Sequence, residues 1–173
     1  MSAKTICLLA VLVVCVYPAA ASTYYVGGCK SGSFSTISAA VTAAPAGSTI
    51  MICAGNYIDQ VIISKDLTLK GLDSATAAGA YVYSTDSMRT TTSPIDALNT
   101  AFGPIAPVIW VTPGTVNIEN VFAFGSGDAA CPPRIVGFYY ATGASGTLNH
   151  VGFYAGGCAV GIWPRTPLLP KRP

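Results

Sequence analysis

The chain has 173 residues, of which 51% are hydrophobic and only 9% charged, with a formal net charge of +2. Nine Lys/Arg against seven Asp/Glu, spread without a cationic cluster, exclude binding to a nucleic-acid backbone. So little charge is also unlike a soluble helical protein, whereas abundant Gly, Ser, Thr, Val and Ile suit stacked β-structure with tight turns.

The first element has to be set aside before the fold is considered. Lys4 precedes an apolar run over residues 6–16 that is too short to span a bilayer comfortably. Pro18 ends the run, and Ala19, Ala20 and Ala21 supply the small residues of a peptidase site. Residues 1–21 therefore read as a cleaved signal peptide, with Ser22 as the mature N-terminus. Cys15 does not mark a lipid anchor, because the branched Val14 stands where a small residue is required. The expectation is a secreted or periplasmic protein with no membrane association after cleavage. In that oxidising setting Cys29, Cys53, Cys131 and Cys158 form disulfides by default. No Cys-x-x-Cys pair is present and only His150 could assist, so neither a metal nor a cofactor is expected.

Residues 23–27 open the mature chain as a short strand. Phe34, Ile37, Ala40, Val41 and Ala44 then recur at three- and four-residue steps, which predicts an amphipathic helix over about 33–45. Ser33 or Ser35 is placed to cap it, and Pro45 with Gly47 to stop it. From Thr49 the period becomes two, through Ile50 and Ile52, a turn at Gly55-Asn56, Val61-Ile62-Ile63, and Leu67 with Leu69. Short strands with one- to three-residue breaks and no intervening helices do not make a βαβ sheet. A solenoid connects such strands by returning each turn of the chain beneath itself, and so predicts a repeat. Residues 108–127 slide onto 138–157, laying Ile118 on Leu148, Val121 on Val151 and Phe124 on Tyr154. The segment from Leu67 to Leu72 fits beneath that from Val116 to Val121, so that Lys70, Glu119 and Asn149 share one outward column. The four cysteines allow three pairings. Cys29–Cys53 and Cys131–Cys158 are the expected pair of bridges, because they link neighbouring coils.

The segment Phe34-Ser35-Thr36-Ile37, followed by Ala39-Ala40-Val41, Gly47-Ser48-Thr49-Ile50, Gly55-Asn56-Tyr57, Gln60-Val61-Ile62-Ile63 and Leu67-Thr68-Leu69-Lys70-Gly71, resembles the N-terminal signature of pectin-lyase-like β-helices. Pectinesterases and many bacterial secreted β-helix proteins share it. The resemblance implies an all-β, right-handed parallel β-helix, short or truncated, with an N-terminal cap helix. Residues 22–163 would form the β-helix domain and 164–173 a proline-rich basic tail.

The same resemblance invites a search for catalytic sets, and none is complete. A pectinesterase would need an aspartate pair, an arginine and oxyanion-stabilising glutamines, but Gln60 is the mature chain's sole glutamine. Gly125 to Cys131 is similar to the Gly-Asp-Asp stretch of polygalacturonases, yet Ala129 replaces the second carboxylate and leaves Asp128 in a solvated turn. A pectate lyase needs acidic calcium ligands and an arginine. Asp86, Arg89 and Asp96, with Asp128, could border a cleft, although a polar loop is the simpler expectation. His150 falls in a turn column with Gly71 and Asn120, where a structural role is expected.

Phe122, Phe124 and Tyr154 should point outward if Val121, Ala123, Val151 and Phe153 point inward. They then either stack on sugar rings or lie beneath residues 73–107 if that span folds over them, and the covered arrangement is the expectation. The function expected from these residues is a non-catalytic surface or carbohydrate-contacting module, with polysaccharide as partner. A polysaccharide-active enzyme, or the remnant of one, is the alternative. At the end of the stack, Pro164, Pro167 and Pro170 would blunt an open coil edge that otherwise recruits another copy of the chain.

Overall fold

The computed structural model describes residues 20–73, 79–92, 103–125 and 133–156, together with the backbone of 159–164. Residues 1–19 of the expected signal segment, Cys131, Cys158, Asp96, Asp128 and residues 165–173 lie outside the described residues.

Strand β1 (Thr23–Val26) and helix α1 (Ile37–Ala43) come first. The thirteen strands that follow fall into four successive turns of chain. The first turn is β2 (Ser48–Ile52), β3 (Gly55–Ile58) and β4 (Val61–Ile63). The second is β5 (Leu67–Gly71), β6 (Ala80–Tyr83) and β7 (Ile105–Val111), and the third is β8 (Gly114–Glu119), β9 (Val121–Gly125) and β10 (Arg134–Tyr140). In the fourth, β11 (Ala144–Ser145) and β12 (Leu148–Asn149) share the first position, followed by β13 (Gly152–Ala155) and β14 (Ala159–Pro164).

Each strand pairs in parallel with its counterpart one turn away. Three sheets result. The first runs β1-β2-β5-β8, with β11 and β12 both on β8; the second is β3-β6-β9-β13; the third is β4-β7-β10-β14. This is a parallel β-helix, as the sequence led us to expect.

Alternation within each strand builds the core. Ile50, Leu69 and Ile118 stack in the first sheet, Val82 and Ala123 in the second, and Val61, Ile109 and Phe138 in the third, all at or near zero exposure. Helix α1 adds Ile37, Ala40 and Val41 to the same core. Its N-cap is Thr36, whose Oγ1 accepts from the Ala39 N–H, and not Ser33 or Ser35. Ser33 is occupied elsewhere, donating to the Gly27 carbonyl. Both helix ends meet a charge of the sign the dipole favours. The Asp59 carboxylate accepts from the Ser38 N–H (2.8 Å) and hydroxyl, while Lys65 Nζ donates to Ala44 O at 2.7 Å and Thr42 O at 3.3 Å. The Cys29–Cys53 disulfide, with Cα atoms 5.7 Å apart, then ties the chain before α1 to the first coil.

Two departures from the sequence reading bear on the site. The described part of residues 73–107 is not an insert laid over the stack, because β6 and the start of β7 are regular coil strands within that span. Ala80, not Leu72, is therefore the residue beneath Val121. In the third sheet Phe138 pairs with Ile109 rather than Val108, whereas Leu148 still pairs with Ile118 and Tyr154 with Phe124. The turn from Tyr140 to Ala144 holds one residue more than the turn from Val111 to Gly114, which restores the register after the slip.

The bend between β8 and β9 shows why specific residues are needed there. Asn120 adopts a left-handed φ of 53°, a conformation asparagine tolerates better than most residues. Its amide donates to Gly71 O (3.2 Å) and Asp73 Oδ1 (2.6 Å). Gly71 permits this approach, since a Cβ there would stand 1.9 Å from the Asn120 carbonyl oxygen. One coil later His150 repeats the left-handed bend with φ 49°.

Candidate functional site

The second sheet places two outward columns side by side. One column is Ile58, Tyr83, Phe124 and Tyr154; the other is Asn56, Tyr81, Phe122 and Gly152. Parallel in-register strands about 4.8 Å apart bring such rings to stacking distance. Tyr83 and Phe124 stack with centroids 4.8 Å apart and planes 24° from parallel, and Phe124 and Tyr154 with 5.1 Å and 15°. Tyr81 bridges the columns, lying 5.4 Å from Phe122 and edge-on to Phe124 at 5.6 Å. His150 meets Phe122 edge-on at 5.6 Å. Gly152 makes room for that contact, because a Cβ there would come 2.9 Å from the Phe122 ring.

This geometry changes the roles expected of the three aromatics. Phe124 is sandwiched between two rings and turns an edge to water, so neither of its faces is open to a sugar. Phe122 is half-buried between Tyr81 and His150. Tyr154 is different: one face lies on Phe124, and the residue is 62% exposed. Ile58, at the opposite end of the same column, is 76% exposed. The expectation that residues 73–107 cover these rings is not met by the described part of that span, which instead contributes Tyr81 and Tyr83 to the face. Both tyrosines escaped the sequence reading, although Ala80-Tyr81-Val82-Tyr83 alternates as Val121-Phe122-Ala123-Phe124 does.

Against known proteins, no family model and no curated protein matches the chain. Among solved structures it is similar to a pectin methylesterase in complex with hexasaccharide VII, with TM-score 0.54 and 20% identity over 79% of this chain and 46% of that one. An aspartate-to-alanine variant of pectin methylesterase in complex with hexasaccharide IV gives TM-score 0.54 and 20% identity over 83% and 48% of the two chains. The shared feature is the fold. The chain spans about half the length of the solved structures it matches.

Four of the five described carboxylates of this β-helix are engaged in structural bonds, two to backbone N–H groups and two to side chains. Asp59 caps α1, Asp66 Oδ1 accepts from the Thr115 N–H at 2.7 Å, Asp73 accepts from Asn120, and Glu119 pairs with Lys70. Asp86 and Arg89 are exposed on the loop after β6. Asp96 and Asp128, the other members of the expected cleft group, lie outside the described residues. Gln60 does not face that loop as a free amide. It donates to Arg89 O (2.8 Å) and Pro107 O (2.9 Å) and accepts from the Arg89 N–H (2.8 Å), so it serves as a backbone clamp. Among the described residues no three His, Cys, Asp or Glu side chains gather as a metal site.

Proposed function

We propose that the protein is a non-catalytic, polysaccharide-contacting β-helix whose contact surface is the aromatic face of the second sheet. The observation that carries this reading is the continuous ring ladder ending in the open face of Tyr154. Apolar rings held in water by a rigid sheet are a liability unless something lies on them. Sugar rings are suited to that place, because their C–H faces are apolar and their hydroxyls can meet the rims formed by the Tyr81 and Tyr83 hydroxyls. The engagement of four described carboxylates in structural bonds favours contact over catalysis. Secretion or export to the periplasm belongs to the same proposal, and the Cys29–Cys53 bridge is in keeping with an oxidising compartment.

The test is binding of the purified protein to a panel of immobilised polysaccharides. Tyr154→Ala should weaken binding to the preferred member by about tenfold, the equivalent of roughly 1.4 kcal/mol, while leaving the far-ultraviolet circular dichroism unchanged. Unaltered binding by this variant would remove the face from the account.

A further inference from the structure

We infer that the polysaccharide recognised by this face is uncharged, an inference that rests on reading the face as a polysaccharide contact. The strands that form it, GNYI, AYVY, VFAFG and GFYA, contain no charged residue. An acidic polysaccharide carries a carboxylate on sugar after sugar. Its recognition calls for guanidinium or ammonium groups aimed at those carboxylates, since a carboxylate laid on apolar rings loses hydration without compensation.

The described cations are engaged or placed elsewhere. Lys30 sits 4.0 Å above the Tyr25 ring, at the outer side of the first sheet. Lys65 is held by the carbonyls ending α1, and Lys70 by Glu119. Arg134 opens β10 in the third sheet. Arg89 follows β6 on a loop whose backbone Gln60 holds, and it shares that loop with the oppositely charged Asp86. None stands in either column of the aromatic face.

What the face does offer suits a neutral chain. Tyr154 presents a ring face, the tyrosine hydroxyls are uncharged donors and acceptors, and the exposed Asn56 begins the second column with an amide. The columns run along the stacking axis, so a sugar chain lying parallel to them meets uncharged side chains at each coil.

Affinity electrophoresis of the full chain decides the point. Native protein and Tyr154→Ala are compared in gels containing hydroxyethyl cellulose, a neutral glucan, or polygalacturonate, each at low and high salt. The inference predicts that the neutral glucan retards the native protein at both salt levels and retards Tyr154→Ala several-fold less. It also predicts that polygalacturonate produces no difference between the two proteins. A difference that appears only in polygalacturonate and vanishes at high salt would overturn the inference while leaving the aromatic face as a polysaccharide contact. Equal mobility of the two proteins in every gel would instead overturn the underlying reading. So would sedimentation in which the native chain is a dimer and Tyr154→Ala a monomer, since the ladder would then be covered by a second copy.

Discussion

The outer faces of the first and second sheets are made by one device and end in opposite chemistry. In the first sheet, stacking sets Lys70 beside Glu119 at 3.1 Å, Thr115 beside Ser145 at 3.1 Å, and Asn117 beneath Thr147, whose N–H and hydroxyl it accepts at 3.1 and 2.9 Å. Each polar column supplies its own partners. In the second sheet the same spacing sets ring upon ring. Stacking satisfies the ring faces inside the ladder but leaves Ile58 and Tyr154 in water. A parallel β-helix thus repeats whatever residue type it is given, and only the aromatic repetition leaves a surface in need of a partner.

The largest test of this comparison removes what both faces stand on. Phe138 is fully buried in the column above Ile109 and Val61. Phe138→Ala should cost about 3–5 kcal/mol in urea denaturation, and a loss under about 1 kcal/mol would mean that the third coil is not packed as described. A second test concerns Tyr140, whose buried hydroxyl donates to Val116 O at 2.8 Å and joins the third sheet to the first. Burial raises its pKa above the ordinary value of 10.0. The folded state therefore holds this proton more tightly than the unfolded chain does. The resulting stability is complete below about pH 10 and is lost as pH climbs beyond it. Tyr140→Phe should flatten that alkaline decline, and an unchanged decline would place its origin elsewhere.

Smaller effects separate the two faces directly. A double-mutant cycle on Tyr83 and Phe124 should return a coupling of about 0.5–1.5 kcal/mol. Glu119→Ala should change stability by no more than about 1 kcal/mol, because both it and Lys70 are roughly two-fifths exposed. If the Lys70–Glu119 cycle gave the larger coupling, the contrast between self-sufficient polar columns and a strongly coupled ring ladder would fail.

Much of this architecture was legible because period two survives in the sequence. Leu67, Leu69, Val116 and Ile118 fall in register as the repeat places them, and so does the Lys70–Glu119–Asn149 column. The Cys29–Cys53 bridge follows from the same coil reading. The second coil was harder to see. Eight residues of sequence separate Gly71 from Ala80, against one between Glu119 and Val121, so β6 reads as part of an insert. Tyr81 and Tyr83 are hidden with it, which leaves three aromatics on two strands to be read from the sequence. The slip at Phe138 has a different cause, since one residue added in the turn at 141–143 cannot be distinguished by hydrophobic pattern when Val108 and Ile109 are both buried. The engagement of Asp59 with Ser38 and of Lys65 with Ala44 joins residues distant in sequence, and no local spacing announces it.

In the proposed function the aromatic face of the second sheet, and not the polar face of the first, meets a polysaccharide. Backbone amide chemical shifts followed during titration with a soluble neutral oligosaccharide test it most directly. The shifts are expected to gather on residues 56–58, 80–83, 121–125 and 152–155 and to spare 67–70 and 115–119. Shifts centred on Lys70, Glu119 and Asn149, with β6, β9 and β13 unmoved, would contradict it.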